Sequence, residues 1–557
     1  MKNNFKAIAT KTMIATAIAS MMAGAAFAAD EPTNTVVSAE KDYASITYTG
    51  KAPATTGAAQ DTFVTVTTTD DAVTANVNDV KGAYGAGASA KFEMELVDGT
   101  LNIFDGTISG FTGKIAESNS GALISADNTA LAVDNLTVSG NKLTDNARGM
   151  IRVSNGGTLE LSDSTFENNE GALGGAINFF KAGTSTIENT KFIGNKSTQH
   201  GGAIYITGIT GENSAITISD SVFSGNTAAK QGGAMMVIGG TNVTNNVILD
   251  NVEFSNNVSN MPKAGSANQS AGGALMVNGN EAANTQVAAK DVRFTGNKAE
   301  TANGGALAVI GQGVFTMDGG VFSGNTAAAA GAVSIYGGTA SFTDVDFTNN
   351  KSTGWGGAIW VNGANSSLTF AAQDKDVVIS GNTSGDTSTY TGKLYNGYTG
   401  GFLHLTTGND ATFNVADGRT FTIGTAGNTA HNVDSITSNY ETGEGSSTST
   451  ITKTGAGDLV INSNMEAFEG DIAVEAGTLT LANGFGTYSI TNQGNYNGNK
   501  ALTATKSTLS VAENAEAIVN GTWLVTNGMT TSGAGDLSIA NLVVSDMQYV
   551  KTNGTTA

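Results

Sequence analysis

Much of the chain is a succession of short apolar-rich runs in which hydrophobic and polar positions alternate, such as AIYIT at residues 203–207, AITIS at 215–219 and MMVI at 235–238. A period of two places successive side chains on opposite faces of a strand. Glycine, asparagine and aspartate bound these runs, and all three favour turns. Strands this short form no stable sheet alone. Neighbouring copies must therefore hydrogen-bond to one another, about 4.8 Å apart, as the rungs of a solenoid.

The runs recur with fixed punctuation. A Phe-x-x-Asn tetrad appears as Phe166/Asn169, Phe192/Asn195, Phe223/Asn226, Phe254/Asn257, Phe294/Asn297, Phe322/Asn325 and Phe347/Asn350. Weaker copies, Val138/Asn141 and Ile379/Asn382, flank the series, and successive tetrads lie 25 to 40 residues apart. Behind each comes a bend of small residues: Gly174-Gly175-Ala176, Gly201-Gly202-Ala203, Gly232-Gly233-Ala234, Gly272-Gly273-Ala274, Gly304-Gly305-Ala306 and Gly356-Gly357-Ala358, with Gly331-Ala332 a copy lacking one glycine. A period near 25 to 31 allows three strands and three turns per coil. The pattern predicts an all-β fold: a right-handed parallel β-helix of the pectin-lyase-like kind, with three short strands per rung. The phenylalanines should stack inside, and each asparagine should turn inward at a bend to bond its neighbour one rung along. Asn tolerates the left-handed backbone, and the second corner, at Gly-Gly-Ala, calls for positive φ or close backbone approach. The 40-residue interval implies a loop bulging out around residues 261–270.

Ahead of the repeats, Lys2, Lys6 and Lys11 precede an apolar stretch at residues 13–23 and the small-x-small pattern Ala26-Phe27-Ala28. This reads as a cleaved export signal over 1–28, the stretch being shorter than the roughly 20 residues a membrane-spanning helix needs. Residues 29–120, rich in Thr and Val as at 63–67, are expected to cap the first irregular rungs. Residues 121–405 hold the repeat helix, and 406–557 continue it with degenerate rungs.

Composition sharpens the class. There are 73 glycines, 3 prolines and no cysteine among 557 residues, so an exported chain of this kind must be held by stacking and burial without disulfides. The net charge is −21, and losing three leader lysines and no acid takes it to −24 (−21 − 3). With only four arginines, at 148, 152, 293 and 419, no nucleic-acid partner is expected.

Repeated FxxN paired with GGA and then Ile, Leu or Val resembles the passenger domains of the chlamydial-type polymorphic outer-membrane proteins, within the type V autotransporters. A second resemblance lies at residues 451–483, where Lys453, Gly455, Gly457, Leu459, Gly470, Val474, Gly477, Thr478 and Leu479 fit the autotransporter-associated β-strand repeat. Autotransporters of this type close with a translocator barrel. No run of barrel strands is recognisable before Ala557, so the translocator is expected to be missing from this chain, cleaved or separate.

Parallel β-helices also house polysaccharide lyases and hydrolases, which need carboxylates clustered across adjacent rungs. Asp163, Asp220, Asp250, Asp291, Asp318 and Asp344 recur just before the tetrads; their regular spacing favours a role in the turn over a cation- or substrate-binding ladder. His200, which reads as an exposed corner residue, lies far in sequence from His404 and His431, without an adjacent nucleophile. No metal motif or cofactor site is evident. Trp355, Trp360, Tyr205 and Tyr336 could form a sugar-stacking stripe or pack inside. The resemblance implies an exported, non-enzymatic surface passenger, an adhesin for host cells, matrix protein, glycan or other bacteria. In that family the FxxN and GGA motifs are associated with adhesion, which makes the fourteen Phe and Asn residues above candidate binding positions, with a purely structural role as the competing reading. A surface depolymerase and a passive spacer are the alternatives.

Overall fold

The computed structural model describes residues 41–43, 46–49, 74–77, 80–83, 94–97, 100–114, 122–144, 147–211, 213–239, 245–262, 270–280, 285–385, 399–406, 408–428, 430–438, 449–468, 470–485, 508–526 and 530–545. The export leader, the 63–67 run, much of the expected cap and most of the 261–270 loop lie outside these residues. The chain divides into two compact units, Met1–Val222 and Phe223–Ala557.

In the first unit a complete rung runs through Thr158–Ser162, Thr165–Glu167, Glu170–Leu173 and Ile177–Ala182. Each strand pairs in parallel with its counterpart one rung on: Leu161 lies opposite Ile187, Phe166 opposite Phe192, Glu170 opposite Lys196 and Ile177 opposite Ile204. The first two strands belong to one sheet, bent at Asp163, so a rung contributes to three sheets around a filled interior.

The second unit repeats this plan. Met235–Ile238, Leu275–Asn278, Leu307–Ile310, Val333–Tyr336, Ile359–Asn362, Leu403–Leu405 and Ile436–Ser438 stack in that order in one sheet. In another, Phe254, Phe294, Phe322 and Phe347 are in register. Beyond residue 449 the described rungs contain only pairs of strands, Thr450–Thr454 with Asp458–Ile461 and Asp471–Val474 with Gly477–Leu481, followed by Thr508–Val511 with Ala515–Thr526 and Thr530–Gly533 with Asp536–Ser545.

The core is aromatic where the tetrads are. Phe166 and Phe192 stack at 5.4 Å in the first unit. In the second, Phe223, Phe254, Phe294, Phe322 and Phe347 form a column with centroids 4.7 to 5.0 Å apart. A second column, Phe342, Phe370 and Phe413, meets the first edge-on, Phe342 standing at 88° to Phe322. Burying each ring is worth about 1.5–3 kcal/mol, and each stacked pair about 0.5–1.5 kcal/mol more.

Candidate functional surface

Every tetrad phenylalanine and asparagine from Phe166/Asn169 to Phe347/Asn350 is fully buried. The asparagines form the internal ladder. Asn257 shows the unit: its Nδ2 donates to Asn297 Oδ1 at 2.9 Å and to the Phe223 carbonyl at 2.9 Å. Its Oδ1 accepts from the Asn226 amide nitrogen and from Asn226 Nδ2, both at 2.9 Å. Two donors and two lone pairs are thus all used, and the Phe carbonyl fixes which end of the amide is nitrogen. The first unit contains the same ladder, Asn141 to Asn169 to Asn195. In the second it continues through Asn325 and Asn350 to Asn382 and ends on a carboxylate. Asp434, 1% exposed, accepts from the Asn382 backbone N–H at 2.8 Å, from Asn382 Nδ2 at 3.0 Å and from the Gly381 N–H at 2.8 Å. The last position has to accept and has nothing to donate to, which suits Asp.

The left-handed residue of the tetrad is the third, not the asparagine that follows it. Asn168, Gly194, Gly225, Asn256, Gly296, Gly324 and Asn349 all have φ between 55° and 65°. The motif is therefore Phe-x-[Gly/Asn]-Asn, a regularity the sequence displays once the corner is known. In the glycine bend the two glycines answer different constraints. Gly232 has φ 67°, whereas Gly233 lacks positive φ but stands where a Cβ would lie 1.8 Å from the Gly273 carbonyl oxygen of the next rung. Positive φ thus belongs to the first glycine alone, whereas close approach bears on both, since a Cβ on Gly232 would lie 2.3 Å from the Met235 carbonyl oxygen. The bend that lacks a glycine places Ala330 at the left-handed position, with φ 56°.

The recurrent acids fall into a corner column. In the first unit it reads Asp105, Asn135, Asp163, Asn189, Asp220, all left-handed. In the second it reads Asn251, Asp291, Gly319, Asp344. Asp250 and Asp318 sit one place earlier and are not left-handed; Asn251 and Gly319 take the corner. Carboxylates thus alternate with Asn or Gly, and Asn135 and Asn189 donate to Asp105 and Asp163. Identical charges stacked one rung apart would repel; this order removes that repulsion, and among the described residues no carboxylate pair falls on neighbouring rungs of the column. Asp344 also accepts from the Gln373 and Asp374 N–H groups at 2.8 and 3.0 Å.

The aromatic candidates are only partly accessible. Trp360 faces outward from its sheet yet is 3% exposed, covered by half-buried Trp355 and packed with Ala329 and Ala330. Its Nε1 donates to Thr406 Oγ1 at 3.1 Å. Trp355 stacks on His404, buried and 2.7 Å from Thr437 Oγ1 through Nδ1. Tyr336 is exposed and Tyr205 half-buried. His200 is half-buried beside Tyr205 rather than an open corner, and His431 lies 3.8 Å from Glu466. Among the described residues no group of three or more His, Cys, Asp or Glu is placed to hold a metal.

Lys453, from the second sequence signature, is fully buried, and its ammonium donates to the carbonyls of Thr454, Gly455 and Ala476 at 3.0, 2.7 and 2.9 Å. Burial lowers its pKa to about 8, with the Asp458 carboxylate opposing. The cation ties a turn to the next rung.

Residues 98–287 match the family model described as right handed beta helix region, and residues 344–362 match the Chlamydia polymorphic membrane protein repeat. A probable autotransporter of Escherichia coli (strain K12), YfaL, is 34% identical over 142 residues, which cover 24% of this chain and 10% of that protein. No solved structure matches. On its repeats and its parallel β-helix, this chain resembles an autotransporter passenger of the polymorphic-membrane-protein kind, an exported surface protein.

Proposed function

We infer that the chain is a surface adhesin that presents outward columns of its rungs to host cells, matrix or neighbouring bacteria. The observation that supports this most is the division of labour within each rung. The repeated Phe, Asn, Gly and Ala positions are spent on the interior and the corners, while outward positions differ from rung to rung: Ile238, Asn278, Ile310, Tyr336 and Asn362 succeed one another on one face. Such a frame tolerates variation outside without loss of the ladder inside, which suits a binding surface. The fourteen tetrad residues then act by holding that surface, since buried side chains reach no partner.

The test is saturable binding of the labelled, folded chain to epithelial cells, matrix proteins and a glycan array. Binding competed by unlabelled protein is the expected result. A folded sample that binds none of the three defeats the adhesin reading and leaves a spacer or an enzyme.

A further inference from the structure

The chain carries −21 overall and only four arginines, yet two of them meet at one aromatic ring in the first unit. Arg148 and Arg152 place their guanidinium carbons 5.8 and 5.7 Å from the Phe180 ring centroid, and Lys181 Nζ lies 5.7 Å from the same point. The parallel register builds this meeting: Arg152 lies opposite Asn178, and Ser154 opposite Phe180, one rung on. Phe180 is half-buried on the outward face, and Arg148 is half-buried at the preceding bend. Among the described residues, neither Arg148 nor Lys181 reaches a carboxylate within ion-pair distance. The nearby Asp127 carboxylate accepts from Ser154 and Asn155 and also offsets part of the Arg152 charge, which Arg148 opposes.

Two further observations set the patch apart from an ordinary solvated face. Lys181 has φ 50° at a corner that Asn128 and Asn155 occupy with φ 52° and 53° in the two preceding rungs. An Asn tolerates that backbone, whereas a Lys is strained in it by about 1 kcal/mol. The sequence thus departs from its own corner rule to put a cation beside Phe180. Beneath the cations, Asn178 is 1% exposed and its Oδ1 takes no hydrogen bond among the described residues, and Thr207 Oγ1, in register with Phe180, is likewise unpartnered. By contrast, one other column of this unit alternates cation with acid: Lys142 and Lys196 flank Glu170 at 3.2 and 3.8 Å.

We propose that Arg148, Arg152, Phe180 and Lys181 form a binding site for a carboxylated sugar. Guanidinium groups recognise a carboxylate through paired N–H donors, and a bound anion relieves the repulsion among three cations gathered on one ring. The exposed part of Phe180 offers an apolar surface to a pyranose face. The strongly negative remainder of the molecule repels long polyanions, which favours a single acidic sugar residue over nucleic acid or a densely charged polymer. The site deepens the adhesin reading by naming a ligand class and rests on it.

The test is a binding titration of the whole chain with sialyllactose and trigalacturonate, against lactose and maltotriose as neutral sugars and citrate as a carboxylate without a ring. The acidic sugars should bind at least tenfold tighter than the neutral ones, with affinity falling as salt rises. Lys181→Asn installs the residue of the two preceding rungs and therefore folds; combined with Arg148→Gln it should lower affinity at least tenfold without lowering the melting temperature. Equal affinity for neutral and acidic sugars, equal binding of citrate, or full affinity in the folded double variant would each overturn the proposal. Cell binding measured on the same samples separates the two readings. Acidic-sugar binding by a sample that binds no cells supports the site and removes only the host-cell part of the adhesin reading, whereas cell binding without selectivity for acidic sugars overturns the site alone.

Discussion

Within the second unit, the rungs carrying Phe-x-[Gly/Asn]-Asn and the rungs beyond residue 449 solve the same problem differently. Both bury polar groups at a turn. The first set uses a neutral amide that is its own partner, so one solution serves Asn226, Asn257, Asn297, Asn325, Asn350 and Asn382 alike. The second uses one cation. Lys453 lies in register between Phe413 and Val474, followed by Val511, so the aromatic column stops at the lysine and apolar side chains resume without a second charge. A self-complementary group propagates; an ammonium cannot, because the next rung would bring a like charge within about 5 Å. Propagation, rather than burial alone, distinguishes the regular from the irregular half of this solenoid.

The largest effect expected is from Gly233→Val. Its Cβ would press on the Gly273 carbonyl from 1.8 Å, backbone against backbone, so the rungs must part. A loss of about 4 kcal/mol or more, or no cooperative transition, should appear in denaturant unfolding followed by circular dichroism. A wild-type midpoint would show that the close approach is dispensable.

Next come Asn297→Ala and Asp434→Ala, each expected to cost about 3 kcal/mol because several buried N–H groups lose their acceptor at once. If either variant melts with the wild type, the ladder is not what stabilises the regular rungs.

Lys453→Met should cost about 1–2 kcal/mol near neutral pH, leaving three carbonyls without their donor. It should also change the pH dependence. The folded pKa of about 8 lies below the unfolded value of about 10.4, so between them the unfolded chain binds more protons and stability rises with pH. Unfolding midpoints at pH 7.5 and 10 should show that rise in the wild type and a smaller one in the variant. An identical rise in both assigns the effect to other groups.

The smallest effect is a gain. Ala330→Gly relieves a left-handed alanine and should stabilise by about 0.5–1 kcal/mol, less whatever its methyl contributes against Trp360. A loss would mean that the packing outweighs the strain.

The solenoid, its stacked phenylalanines and its asparagine ladder were legible because each is written once per rung and so appears repeatedly in a single sequence. What needed coordinates was register. The left-handed tetrad position is one residue before the asparagine that drew attention, visible only as a Gly/Asn choice at Asn168, Gly194 and Gly225. That Gly232 alone needs positive φ while close approach bears on both Gly232 and Gly233 could not be read from the sequence, because both constraints select the same residue. Whether Trp360 joins an outer stripe or packs away is decided only once Trp355 is seen to cover it. Arg148 and Arg152 are separated from Phe180 by about one rung, so their convergence follows from the strand pairing and not from any local motif.

The corner column of alternating carboxylate and amide has a consequence for how this chain can change length over evolution. The interior repeats with a period of one rung, so any single rung could be duplicated or deleted without altering what an asparagine meets above and below. The corner repeats with a period of two. In the series Asp105, Asn135, Asp163, Asn189, Asp220, excision of one internal rung would bring two aspartates or two asparagines together. Growth by pairs of rungs preserves both patterns within this series, whereas loss of a single Asn rung would set two carboxylates against each other.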